Sequence, residues 1–180
     1  MLHVNVLLAH AGHAEHGVIA GFLHPITGLD HLLAAVAVGM LAVLGTKKFA
    51  WLLPAMFLSG MILGGGIALA RLALPGIELG IAASVIVMGA AIAIRKSGPL
   101  WASAALIAVF AMFHGHAHFS EYGSGQDASV YAAGLLIATA MLHAIGVGLA
   151  TVLPEARINP IRTAGGAIAV LGLLMITGLL

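Results

Sequence analysis

The chain has 180 residues, 62% of them hydrophobic and only 7% charged, with seven basic against six acidic side chains. Soluble domains carry about a quarter charged residues, so the composition is that of an integral membrane protein, and the absence of a basic run excludes a nucleic-acid partner. There is no cysteine, which excludes disulfides, thiolate zinc sites and iron–sulfur clusters, whereas histidine, at ten copies, outnumbers the acids and the bases taken separately.

Residues 1–17 contain His3, His10, His13, Glu15 and His16. They are too polar to cross lipid and are expected to form an outer, aqueous segment, where His10, His13 and His16 could collect dilute cations. Met1 to Ala9 lacks the basic start and long apolar core of a secretory signal. Apolar runs follow at about 18–44, 51–70, 77–94, 100–119, 130–153 and 161–180. Each is near or above the roughly 20 residues a bilayer requires, so the expectation is an all-α protein with six spans in one bundle. The first run is the longest and must tilt, kink at Pro25, or begin at Pro25 with 18–23 lying at the interface.

The breaks carry turn chemistry: Gly45-Thr46-Lys47-Lys48, Pro75-Gly76 and Ser97-Gly98-Pro99. Asp127 and Ser129 are N-cap candidates, and Pro154 and Pro160 bracket the last loop. Of the seven cations, Lys47, Lys48, Arg95, Lys96, Arg157 and Arg162 fall in the odd-numbered loops and only Arg71 in an even one. The positive-inside rule then puts the odd loops in the cytoplasm and both termini on the outer, periplasmic side of a bacterial inner membrane. Trp51 and Trp101 fall at the inner interface, Tyr122 and Tyr131 at the outer one. Glycines at 60, 64, 65, 66, 165 and 166 mark close helix contacts, and short loops imply antiparallel neighbours.

Chemistry concentrates in His24-Pro25-Ile26-Thr27-Gly28-Leu29-Asp30-His31. An Asp well inside a span costs about 2.5–3.5 kcal/mol on insertion scales, a burden normally carried for a site. His24 and His31 are seven apart, so on one continuous helix they share a face about 10 Å apart along the axis, with Asp30 roughly 100° round from His31. A second polar run, Phe113 to Glu121, ends the fourth span on the same outer side. There His114 and His118 are i, i+4 and suit one metal ion, while His116 points away unless Gly115 unwinds the turn. Glu121 could join them, and His143 lies mid-way along the fifth span. The site expected is an outer-half cavity lined by His24, Asp30, His31, His114 and His118, with His116, Glu121 and His143 as further candidates. Imidazole and carboxylate without sulfur suit Ni²⁺, Co²⁺ or Zn²⁺, and spacing does not choose among them.

These residues resemble the HupE/UreJ family of nickel or cobalt permeases. Its first motif, HPxxGxDH, is matched in full at 24–31. Its second, approximately FHGxAHGxE, is matched at 113–121 except that Phe119 replaces the second glycine. The resemblance implies a six-span carrier, not an enzyme, that takes Ni²⁺ from periplasm to cytoplasm for urease or hydrogenase maturation. It implies functional roles for His24, Asp30, His31, His114, His118, His116 and Glu121. No organic cofactor is expected, and the partners are lipid, a divalent cation and, in an oligomer, further copies of the chain.

Two other classes compete. Paired histidines from separate spans could hold haem in an electron carrier, and the same groups could serve a membrane metal sensor or store without transport. No His-Glu-x-x-His or Gly-x4-Gly-Lys-Ser/Thr motif is present, so neither a zinc protease nor an ATP-driven pump is indicated. The first and fourth spans run in opposite directions and each starts a set of three, the arrangement an inverted repeat would produce.

Overall fold

The computed structural model describes residues 17–45, 49–96, 98–121, 127–153 and 159–179, with Glu121 described in its backbone alone. The described residues form seven helices and no strand: α1 (Val18–Thr27), α2 (Leu29–Leu44), α3 (Leu52–Leu69), α4 (Ile77–Ile94), α5 (Leu100–Glu121), α6 (Ala128–Val152) and α7 (Pro160–Ile176). By length and composition α3, α4, α5 and α6 can each cross a bilayer. With 17 residues, α7 is at the short end of spanning length. Asp127 accepts the Ser129 and Val130 amides at the start of α6, and Asn159 does the same for Ile161 and Arg162 ahead of Pro160 in α7.

The single helix expected over the first apolar run is corrected. It is two helices, α1 and α2, set at 84° to one another. Pro25 lies inside α1, and the chain turns three residues later at Gly28 (φ −81°, ψ 112°). Proline weakens the last turn of α1 by removing an amide. Gly28 then closes α1 by donating to the His24 carbonyl (3.2 Å) and opens α2 by accepting from the Leu32 amide (2.9 Å). Asp30 Oδ1 accepts the His31 amide at 2.7 Å, partnering one of the first-turn donors that a helix start leaves free. A Cβ on Gly28 would stand 3.0 Å from that same oxygen, tighter than nearly all real contacts.

Three pairings are the most extensive: α3 with α5, α4 with α7, and α6 with the α1–α2 unit. Exchanging the first three apolar runs for the last three maps these pairings onto one another. The central helix, α2, also touches α3, α4 and α7, and its Ala34, Ala37, Val38 and Met40 are almost wholly buried.

Glycine sets the closeness of each pairing. A Cβ on Gly64 would overlap the Met112 carbonyl, and one on Gly115 would overlap that of Met61. Gly39 and Gly146 repeat the exchange between α2 and α6, facing the carbonyls of His143 and Val36. Gly165 meets Ala93 and Ile92 of α4, and Gly65 meets the Phe119 ring, whereas Gly66 and Gly166 face open space and seal nothing. Arg162 adds a bond from Nε to the Ala93 carbonyl (2.8 Å), a cation at the carbonyl end of α4. Outward-facing Trp51, Trp101, Ile62, Leu63, Leu79 and Leu173 are exposed, the apolar surface that lipid covers.

Candidate metal site

The break at Gly28 decides where the first motif's histidines go. Because α1 and α2 diverge, His24 and His31 do not stack along one helix face. They converge instead on His118 of α5, whose ring lies 4.8 Å from His24 and 4.4 Å from His31, centroid to centroid. His31 Nδ1 and His118 Nε2 are 2.6 Å apart, a hydrogen bond between imidazoles. The His114 ring, one turn back along α5, is 5.3 Å from His31. His31, His114 and His118 are all buried.

Two hydroxyls fix these rings. Thr139 of α6 donates its one proton to the Leu135 carbonyl (2.8 Å), so toward His31 Nε2 (3.0 Å) its oxygen accepts. His31 therefore carries its proton on Nε2 and keeps the Nδ1 lone pair toward His118. Ser84 of α4 donates to the Ile81 carbonyl (2.6 Å) and so accepts from His114 Nε2–H (2.9 Å), leaving the Nδ1 lone pair of His114 free. Each hydroxyl does for its imidazole what the outer partner of a metal-bound histidine does: it selects the tautomer and holds the ring.

Beside the imidazoles is a cavity of about 250 Å³ whose polar lining is His24, Thr27, Asp30, Glu78, His114 and His118. Asp30 and Glu78 also line an adjoining cavity of about 460 Å³ between α2, α4 and the end of α7. Two carboxylates and three imidazoles on one space give a donor set of nitrogen and oxygen only, suited to borderline divalent cations. Among the described residues no group of three or more His, Asp or Glu side chains is placed so that it could hold a metal ion as it stands. His31 Nδ1 and His118 Nε2, 2.6 Å apart, stand closer than two ligands of one ion do. Two nitrogens on one divalent ion, with bonds of about 2.1 Å at right angles, stand about 3 Å apart.

The other sequence-derived candidates are placed as follows. His116 is not brought to this group: its Nε2 meets the Leu72 carbonyl at 2.9 Å and its Nδ1 the Ser120 hydroxyl at 3.1 Å, tying α5 to the α3–α4 connection. Helix α5 continues through Gly115 without unwinding, because that glycine serves the contact with Met61. His143 is buried in α6 against Phe57, ring to ring at 5.2 Å. The Glu121 side chain and His10, His13 and His16 lie outside the described residues.

Reading the sequence missed Thr139, Ser84, Glu78 and Phe57. A hydroxyl or a carboxylate inside an apolar run is a signal of the same kind as Asp30, and three of the four could have been found that way. Phe57 carries no such mark, although its ring is 5.9 Å from His31 and 5.6 Å from His114.

Residues 1–175 match the family model described as HupE / UreJ protein. The chain is 39% identical over 171 residues to Protein HupE of Rhizobium leguminosarum bv. viciae, an alignment covering 94% of this chain and 90% of that one. No solved structure matches it. Similarity of this extent runs through both histidine motifs and every helix that positions them, and the chain belongs to the HupE/UreJ family.

Proposed function

We propose that this protein is a permease for a divalent transition-metal cation, Ni²⁺ before Co²⁺, carried from the periplasm toward the cytoplasm across a bacterial inner membrane for urease or hydrogenase maturation. In this reading α1 and α2 form one broken span and α7 is the sixth, with both termini outside and residues 1–17 preceding the transmembrane unit. His24, Asp30, His31, His114 and His118 receive the ion, and Glu78 joins them from the cavity wall. His116 holds a connection and is not a ligand.

The observation that carries the reading is the His31–His118 contact at 2.6 Å beside a carboxylate-lined cavity. Imidazole binds metal as the neutral base, so an arriving cation takes the place of the bridging proton once His118 moves that proton from Nε2 to its own Nδ1, and the two facing nitrogens then part to ligand spacing. A helix broken at depth supports the same reading, since half-helix ends inside a bundle are where carriers place their ion sites. Asp30 sits at such an end, held by an amide of the first turn.

The test is uptake of radioactive nickel into proteoliposomes by the wild type and by Asp30→Ala and His31→Ala. Uptake by the wild type and its loss in both variants is the expected result. Equal uptake in all three rejects the site, and no uptake by the wild type rejects the permease.

A further inference from the structure

On α6, His143 lies one turn beyond Thr139, the residue that fixes His31, so both side chains leave the same face of the helix. The His143 residue is 2% exposed, and neither Nδ1 nor Nε2 has a hydrogen-bond partner among the described residues. An imidazole always carries at least one N–H, and when neutral it also carries a lone pair. Buried polar atoms nearly always have partners, and one without calls for an explanation. Phe57 packs edge-on at 5.2 Å, and α2 presents Val36, Gly39 and Met40 where its backbone meets α6.

The same Phe57 ring that touches His143 also touches His31 and His114, at 5.9 and 5.6 Å. One fully buried aromatic ring therefore touches both the His31–His114 pair and an imidazole with unused nitrogens. We propose that His143 is a second, inner station for the divalent cation, reached from the His31–His114–His118 group past the ring of Phe57. This rests on the permease reading above. A single imidazole, completed by water or carbonyl oxygen, holds a cation more weakly than several imidazoles and carboxylates together. Conduction requires that descent, since an ion bound equally tightly throughout does not leave.

The test uses the full chain in two measurements. Crystals of the wild type in saturating NiCl₂, recorded at the nickel absorption edge, should show two anomalous peaks. One lies between His31 and His118, the other about 2.1 Å from a ring nitrogen of His143. In proteoliposomes, His143→Gln, which keeps a polar side chain of similar size, and His143→Ala should both lower nickel uptake about tenfold or more. A single peak at the outer group overturns the inner station, as does uptake by His143→Gln within about threefold of the wild type. Either result leaves the permease reading standing. Absence of uptake by the wild type removes that reading, and the inner station with it.

Discussion

Thr139→Val isolates the part of the site that no ion touches. Valine keeps the branched shape and removes only the oxygen, and Thr139 is fully buried, so water does not take its place. His31 Nε2–H, 3.0 Å from that oxygen, is left without an acceptor. A buried donor without a partner costs about 1–3 kcal/mol. The ring can avoid the penalty by moving its proton to Nδ1, but Nδ1 is the atom that faces His118, and a proton there occupies the lone pair the cation needs. A donor left unpaired on Nε2 weakens the free and the ion-bound protein alike, so the free ring takes the second route, and the penalty is met on binding, when the proton must return to Nε2. The affinity for Ni²⁺ then falls by up to that energy, roughly 5- to 150-fold at 1.4 kcal/mol per tenfold. Titration calorimetry of the detergent-purified protein with NiCl₂ measures it directly. Thr139→Ser retains the oxygen and should bind within about threefold of the wild type. A dissociation constant for Thr139→Val within about twofold of the wild type would refute the tautomer argument.

Three further outcomes follow from the packing and the caps. Gly39→Ala places a Cβ on the His143 carbonyl and should lower thermal stability by about 1–3 kcal/mol, whereas Gly66→Ala, in open space, should leave it unchanged or raise it by up to about 1 kcal/mol; the same melting temperature for both would refute the glycine-sealed pairings. His116→Ala should destabilise the fold by about 0.5–1.5 kcal/mol through the lost hydrogen bond to the Leu72 carbonyl, with nickel affinity within about threefold of the wild type, and a tenfold loss of affinity would make it a ligand. The Ser129 hydroxyl, then the Ser129 and Val130 amides, hold the Asp127 carboxyl below its ordinary value of 3.8. The cap is therefore in full force above that value and is lost as pH falls through the lower, folded-state value. An NMR titration of the carboxyl carbon should give a midpoint under 3.8, moving up in Ser129→Ala.

Much of this architecture is legible in the residues, because lipid enforces simple rules. Uninterrupted apolar runs became helices with ends within a few residues of those expected, as α4 at Ile77–Ile94 illustrates. The i, i+4 spacing of His114 and His118 put both rings against His31. What stayed hidden was the turn at Gly28. Pro25 is the conventional place for a bend, and nothing local reveals that Asp30 and the amides of α2 would make Gly28 the better one. The seven-residue spacing of His24 and His31 therefore gave a geometry that the break replaces. Thr139 and Ser84 were equally hidden as partners of His31 and His114, because pairing between residues 108 and 30 positions apart depends on which helices meet.

The glycine contacts have a mechanical consequence. Where backbone meets backbone no side chain can swing aside to absorb displacement, so each sealed pair moves as one body. His31 travels with α6, His114 and His118 travel with α3, and Ser84 travels with α7. The imidazoles thus straddle the seam of two bodies, with the Ser84 hydroxyl reaching in from a third, and sliding along that seam would separate His31 from His118 before any helix bends. In the permease proposed above, widening a path and loosening the grip on the ion would be a single displacement.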